Sequence, residues 1–258
     1  MERKTTFAEF KKMIKERGVS LLRFRQRLTK CFGAYYWETL TDAEFDAVFD
    51  SLIVDLSKSP MRSEAEVNKF LAKEMMTRDP FDIPQWRIFF QESYGQDSSL
   101  FILKVHHTVC DGHGLISYVN SITDQPQDLW ANIRNPPAWK KLMLYLTVPY
   151  YFLKMSLLVI TSAFPNNPLH RGQPNSGNKV ILTSRDFPLG QLKEKCRGLK
   201  CTVNDALMSA ISVTLKEYFI SKGDERTQEV FVGFPVNVRS KPAIPGTFDC
   251  CNLVGAFF

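Results

Sequence analysis

LKVHHTVCDGHGL, residues 103 to 115, is the stretch on which the fold turns. An apolar run ends in two adjacent histidines, Cys110-Asp111-Gly112-His113-Gly114 supplies a turn, and a new apolar spacing starts at Leu115. Leu100 to His106 reads as a strand, and Trp86 to Gln91 is a second run of the same kind. The polar ESYGQDSS between them is turn-like, which makes the two runs neighbouring strands. Leu115, Ile116, Tyr118, Val119 and Ile122 then have helical spacing. The order strand, turn, helix places His106 and His107 at a strand exit, just ahead of a helix start.

Adjacent side chains leave an extended segment on opposite sides. If the strand runs through His107, one histidine faces a core or interface and the other a cavity. That geometry opposes one metal held by both. Cys110 and His113 find no complementary Cys pair or His spacing elsewhere, so no metal is expected. An imidazole with an unshifted pKa of about 6.5 accepts a proton near neutral pH and suits general-base work. Asp111 either orients His107 or shapes the turn. No Gly-x-Ser-x-Gly elbow is present, which weakens a hydrolase reading. From these residues alone, a proton-transfer site and a pair of satisfied histidines beside an Asp-Gly turn both stay open.

Upstream, apolar positions from Phe7 to Leu28 predict a helix with a basic continuation carrying Arg23, Arg25 and Arg27, and AYYWETL reads as a strand. Ser63 heads a helix through Met76 with Val67, Phe70, Leu71 and Met75 on one side, closed by Asp79-Pro80. Downstream, 123–138 is a polar, proline-containing linker. Leu142 to Thr161 is then almost wholly apolar, with Lys154 its one charge and Pro149 near its middle, and Lys140-Lys141 precede it as headgroup anchors. A buried or interfacial hairpin of two helices broken near Pro149, a membrane span and an ordinary crossing segment are all compatible with it. Lys179 to Ser184 is strand-like, and Leu192 to Cys196 lies in a helix. A further helix runs from Thr202 to about Ile220; strands follow at Val230–Phe234 and Asn252–Phe258.

The chain of 258 residues is 44% hydrophobic and 23% charged, with 13 glycines and 14 prolines, which excludes disordered and collagenous classes. A formal charge of +6 is a mild bias that selects no partner. The arginine cluster is too short for a nucleic-acid module, so no nucleic acid is expected. Six scattered cysteines read as reduced thiols. The polar start, without an apolar secretory segment, favours a cytosolic face.

His-His-x-x-x-Asp-Gly at His106 to Gly112 is the signature of the coenzyme A dependent acyltransferase superfamily, and its surroundings resemble the wax ester synthase/diacylglycerol acyltransferase family. RFRQRL at 23–28, YYWE at 35–38, DPFDIPQWRIFF at 79–90, TVNDALMSA at 202–210, PVNVR at 235–239 and NLVG at 252–255 resemble that family's motifs in the same order. The resemblance implies an α/β, chloramphenicol acetyltransferase-like fold with a mixed sheet flanked by helices. It also implies a truncated form, because family members carry a strand region before the arginine-rich stretch and a substantial domain after the point where this chain stops. The division expected is 1–135 with the histidine site, 136–178 as apolar segment and linker, and 179–258 as the start of a second subdomain.

By the same resemblance His107 is the general base of an O-acyl transfer from a fatty acyl coenzyme A to a long-chain alcohol or diacylglycerol. His106 supports the loop, Asp111 shapes it with Arg239 as its partner, and Gly112 lets the backbone turn where a side chain is unwelcome. Asn204 and Asp205 stand at a helix start where Thr202 or Asn204 is the cap, or they border the acyl or coenzyme channel, and Asn237 and Arg239 either support structure or contact substrate. No cofactor is bound permanently; the acyl coenzyme A is a donor substrate. The expected location is a membrane surface, on the cytosolic face of the endoplasmic reticulum or plasma membrane, with a part in the cytoplasm. A non-catalytic, lipid-binding relative is the alternative.

Overall fold

The computed structural model describes residues 5–124, 137–162, 167–169, 176–227, 229–230, 232–237, 252 and 254–257. They fall into two compact units, one from Met1–Asn135, Lys179–Ile181 and Phe234–Phe257, the other from Pro136–Asn178 and Leu182–Gly233. The stretch 179–258 is therefore divided between the units, its paired strands at Phe234–Asn237 and Val254–Phe257 belonging to the first.

Helix α1 (Phe7–Arg17) of the first unit begins with a capping box: the Thr6 hydroxyl accepts from Glu9 N–H at 3.2 Å, and the Glu9 carboxylate accepts from Thr6 N–H at 3.1 Å. Phe10 and Ile14, four residues apart on one face, are buried. The helix stops well short of Leu28. Two 3₁₀ turns, Gly18–Ser20 and Leu22–Arg25, lead into strand β1 (Gln26–Cys31), so the basic segment is turn and strand, not helix. Packing explains the stop. Phe24 folds back to stack on Tyr118 at 4.0 Å, and a side chain at Gly18 would meet the Tyr118 hydroxyl at 2.7 Å.

Strand β1 pairs antiparallel with β2 (Ala34–Thr39), setting Arg27 opposite Glu38. Helix α2 (Asp42–Leu52) follows another capping box, Thr41 with Glu44, and buries Phe45, Phe49 and Leu52. After β3 (Ile53–Asp55), Ser63 caps α3 (Glu64–Met76), whose Val67, Phe70 and Leu71 pack against Met61, Phe89 and Ile102. Met75, expected on the same side, is exposed. Strands β4 (Trp86–Tyr94) and β5 (Ser98–Val105) complete a mixed sheet of order β3-β4-β5, parallel between the first two and antiparallel between the last two. Helix α4 (Gly112–Ile122) follows. The sheet and α1 share a core in which Phe10 stacks on Phe90 at 4.2 Å and Trp86 Nε1 donates to the Phe24 carbonyl at 2.8 Å.

In the second unit, α5 (Ala138–Ser162) is one continuous helix of 25 residues with Pro149 inside, not two helices broken there. An internal proline removes one hydrogen bond, which a helix this long tolerates. Among the described residues no helix is long and apolar enough to cross a membrane. Helices α6 (Leu189–Gly198) and α7 (Val203–Ser221) follow. Lys179–Ser184 adopts neither strand nor helix, and the strand expected at Val230–Phe234 instead occupies β6 (Phe234–Asn237), hydrogen-bonded to β7 (Val254–Phe257) in the first unit. Alternating residues become a strand only where a partner edge exists. The described residues thus carry one three-stranded mixed sheet and two separate two-stranded pairs.

Candidate active site

The register of β4 and β5 fixes where the histidines emerge. Trp86 lies opposite Val105, and His106 N–H adds one more bond to the ladder by donating to the Gln85 carbonyl at 3.0 Å. Gln85 is itself buried, donating to the carbonyls of Pro80 at 2.7 Å and Ile83 at 2.9 Å. The strand ends at Val105. The two histidines are therefore not successive residues of a strand: His107 and Thr108 form an exposed turn closed by Val109 N–H to the His106 carbonyl at 2.9 Å.

Val109 and Cys110 are buried and pull the chain back into the aromatic core. Asp111 is buried too and acts as N-cap of α4, its carboxylate accepting from Gly114 N–H at 2.9 Å while its carbonyl accepts from Leu115 N–H at 2.9 Å. A carboxylate in that position satisfies an orphan helix donor and sits at the favourable end of the helix dipole. The tip is thereby held from both sides: on one by the sheet, on the other by a capped helix.

His106 and Thr108 are tied to each other. His106 Nδ1 lies 2.9 Å from Thr108 Oγ1 and accepts from Thr108 N–H at 3.3 Å, a contact that requires this ring nitrogen to be unprotonated. The His107 imidazole stands exposed at the tip. Gly112, the first residue of α4, has open space around it; a side chain there would touch nothing within 4 Å, so crowding does not account for this glycine. From the far end of the chain, Asn252 Nδ2 donates to the His107 carbonyl at 2.9 Å and to the Thr108 carbonyl at 3.4 Å.

Asn237 ends β6, paired with Val254 in the same unit, and Arg239, the expected partner of Asp111, lies outside the described residues. Asn204 and Asp205 sit at the start of α7 in the other unit. Thr202 is the cap: its hydroxyl accepts from Asp205 N–H at 3.1 Å, and the Asp205 carboxylate accepts from Thr202 N–H at 2.8 Å and its hydroxyl at 2.7 Å. These bonds hold the Asp205 carboxyl below its ordinary range. Asn204 is exposed, and one turn further on Met208 begins a cavity of about 300 Å³ that is lined by Ile211, Leu215, Phe219 and Val230 together with the polar Ser212, Lys216 and Thr227. Among the described residues no group of three or more His, Cys, Asp or Glu is placed to hold a metal. Sequence reading placed Asn252 in a motif but gave it no contact. At a separation of 145 residues no local spacing could have done so.

The fold carrying this turn is the chloramphenicol acetyltransferase-like one, shared by condensation domains and wax ester synthase/diacylglycerol acyltransferases. The first condensation domain of the calcium-dependent antibiotic synthetase superimposes with a TM-score of 0.61 at 14% identity, over 94% of this chain and 58% of that one. The wax ester synthase/diacylglycerol acyltransferase from Marinobacter aquaeolei VT8 superimposes with a TM-score of 0.52 at 19% identity, over 85% and 53%. In sequence, the chain is 30% identical over 150 residues to Wax ester synthase/diacylglycerol acyltransferase 1 of Arabidopsis thaliana, covering 51% of this chain and 31% of that protein. No family model matches the chain. The resemblance carried by the motifs thus has a counterpart in a sequence match over about half of this chain, which spans under a third of that plant protein and somewhat over half of the solved ones.

Proposed function

We propose that this chain transfers a fatty acyl group from acyl coenzyme A to the hydroxyl of a long-chain alcohol or diacylglycerol, with His107 as general base. The observation that carries the reading is the exposed His107 imidazole on a turn anchored by the sheet on one side and by the Asp111-capped helix on the other. An alcohol oxygen is a poor nucleophile until its proton leaves. The imidazole takes that proton as the oxygen attacks the thioester carbonyl carbon. The tetrahedral intermediate then collapses, the carbon–sulfur bond breaks, and the coenzyme A thiolate takes the proton back from the imidazolium. Ester and free coenzyme A leave, and His107 is neutral again. Holding both substrates at the turn removes much of the bimolecular penalty.

In this reading His106 orders the turn through Thr108, Asp111 and Gly112 form the helix start behind it, and Asn237 and Arg239 contact the acyl coenzyme A. The lipid substrates are met at a membrane surface on the cytosolic side. The exposed apolar residues of α5, among them Tyr145, Phe152 and Leu153, with Lys140 and Lys141 at its start, support this. The same face supports a second reading, a lipid-binding chain without turnover.

The test is release of coenzyme A from palmitoyl coenzyme A by the folded chain, with and without a mixture of long-chain alcohol and diacylglycerol, beside His107→Ala. Acceptor-dependent release falling by about 10²-fold or more in the variant is expected. Equal release by both forms removes His107 from the chemistry. Binding to lipid vesicles with no release from either form favours the second reading.

A further inference from the structure

We infer that Asn252 is a positioning residue for His107: its carboxamide clamps the two carbonyls of the histidine turn and so sets the direction in which the imidazole points. The inference deepens the general-base reading above and rests on it. His107 and Thr108 are both exposed, so burial does not orient their peptide groups. The Asn252 amide nitrogen reaches both, donating at 2.9 Å to the carbonyl of His107 and at 3.4 Å to that of Thr108. The chemistry of the side chain suits this role, since a carboxamide carries two N–H donors on one nitrogen and can serve adjacent carbonyls at once, whereas an aspartate of the same shape offers only acceptors. The backbone before His107 is tied to Gln85 and the segment after Thr108 is sunk in the core. The N–H sides of the two peptide groups in the turn are tied to His106, Thr108 N–H to its Nδ1 and Val109 N–H to its carbonyl, and their carbonyl sides are what Asn252 restrains. The residue lies just before β7, whose pairing with β6 anchors it in the same unit as the turn. The NLVG stretch at 252–255 thereby acquires a physical role, bringing the end of the chain to the histidines.

The decisive variants are Asn252→Asp, which keeps the shape and loses the donors, and Asn252→Ala, which loses both; Asn252→Gln, with its donors one methylene further out, tests for partial rescue. Three readouts apply to the full chain. Carbonyl carbon shifts of His107 and Thr108 report the hydrogen bonds, the rate of His107 carbethoxylation by diethyl pyrocarbonate reports the imidazole's surroundings, and kcat against KM reports the reaction. In Asn252→Asp both carbonyl signals should move upfield together and the His107 modification rate should change severalfold. The kcat should fall about tenfold or more with KM for palmitoyl coenzyme A nearly unchanged, as expected for misaimed chemistry. Asn252→Ala should act alike, with the rest of the amide spectrum retained, and Asn252→Gln should recover part of the loss.

Unmoved carbonyl shifts in a folded variant overturn the clamp whether or not the chain turns over. Moved shifts with an unchanged modification rate show a clamp that does not aim the imidazole, and overturn the positioning role. A chain with no His107-dependent turnover defeats the general-base reading separately, while the first two readouts still decide whether Asn252 orients the histidine.

Discussion

The two units handle their apolar side chains in opposite ways. In the first, Phe10, Phe24, Trp86 and Phe90 are each 1% exposed or less and interlock in one aromatic core that includes Val109 and Cys110 of the histidine turn. In the second, Cys196 and Phe219 are the buried hydrophobic residues among those described, whereas Tyr145, Phe152 and Leu153 on α5 are more than 70% exposed. The difference teaches where the candidate site gets its rigidity. Its two buried anchors are part of a core that residues 10 to 122 build among themselves.

The sharpest way to break this comparison is a pair of truncations. Phe10→Ala removes a ring stacked on Phe90 inside the first core and should cost about 3–5 kcal/mol in denaturant unfolding followed by circular dichroism. Leu153→Ala, on the exposed face of α5, should stay within about 0.5 kcal/mol. Equal costs would mean that α5 packs as a core helix in solution, and the contrast between the units would fall.

Much of the first unit was legible because its signals are local. Strands β4 and β5, the polar turn between them, the Ser63 cap of α3 and the helix after Gly112 follow from periodicity and capping chemistry. The end of α1 at Arg17 was not legible, since it depends on Phe24 meeting Tyr118, nearly a hundred residues away. Helix α2 went unread although Thr41 with Glu44, and Phe45, Phe49 and Leu52, carry the signal. At the site, the His106–Gly112 motif could be found by eye. What could not be found was that the strand ends before His106 and that Asn252 reaches the turn, both matters of hydrogen bonding that spacing does not encode; Asp111 as the cap of α4 went unread although an Asp just ahead of a helix start carries that signal.

A smaller effect separates the two helix starts. Asp111 caps α4 from a buried position, and Thr202 caps α7 from an exposed one. Asp111→Ala removes the carboxylate to which Gly114 N–H donates in a buried site and should cost about 2 kcal/mol; Thr202→Ala, with water at hand, should cost about 1 kcal/mol or less. Thermal or urea unfolding of the two variants orders them. A larger loss at Thr202 would reverse the ranking of the units.

The smallest effect is one of pH, and it distinguishes the units by the kind of bond that holds a carboxylate. In the first, the Arg27 guanidinium across the β1–β2 pair, with the Thr29 hydroxyl at 2.6 Å, lowers the Glu38 carboxyl from its ordinary 4.5 to about 2. In the second, Asp205 is lowered by the N–H and hydroxyl of Thr202. The sign is the same for both. A carboxyl whose folded pKa is depressed binds its proton more readily in the unfolded chain, so its stabilising contribution is complete above the unfolded value and is lost as pH falls through the folded one. For Glu38 that window runs from about 4.5 down to about 2. Both groups are exposed, so the losses are small and best read by carboxyl carbon NMR titration, with Glu38→Gln removing its share of the acid sensitivity. Salt then parts them: screening weakens the Arg27–Glu38 attraction and should move Glu38 back toward 4.5, while Asp205, held by uncharged donors, should titrate where it did. A Glu38 that titrates at 4.5 in low salt would show that the β1–β2 ion pair does not form in solution.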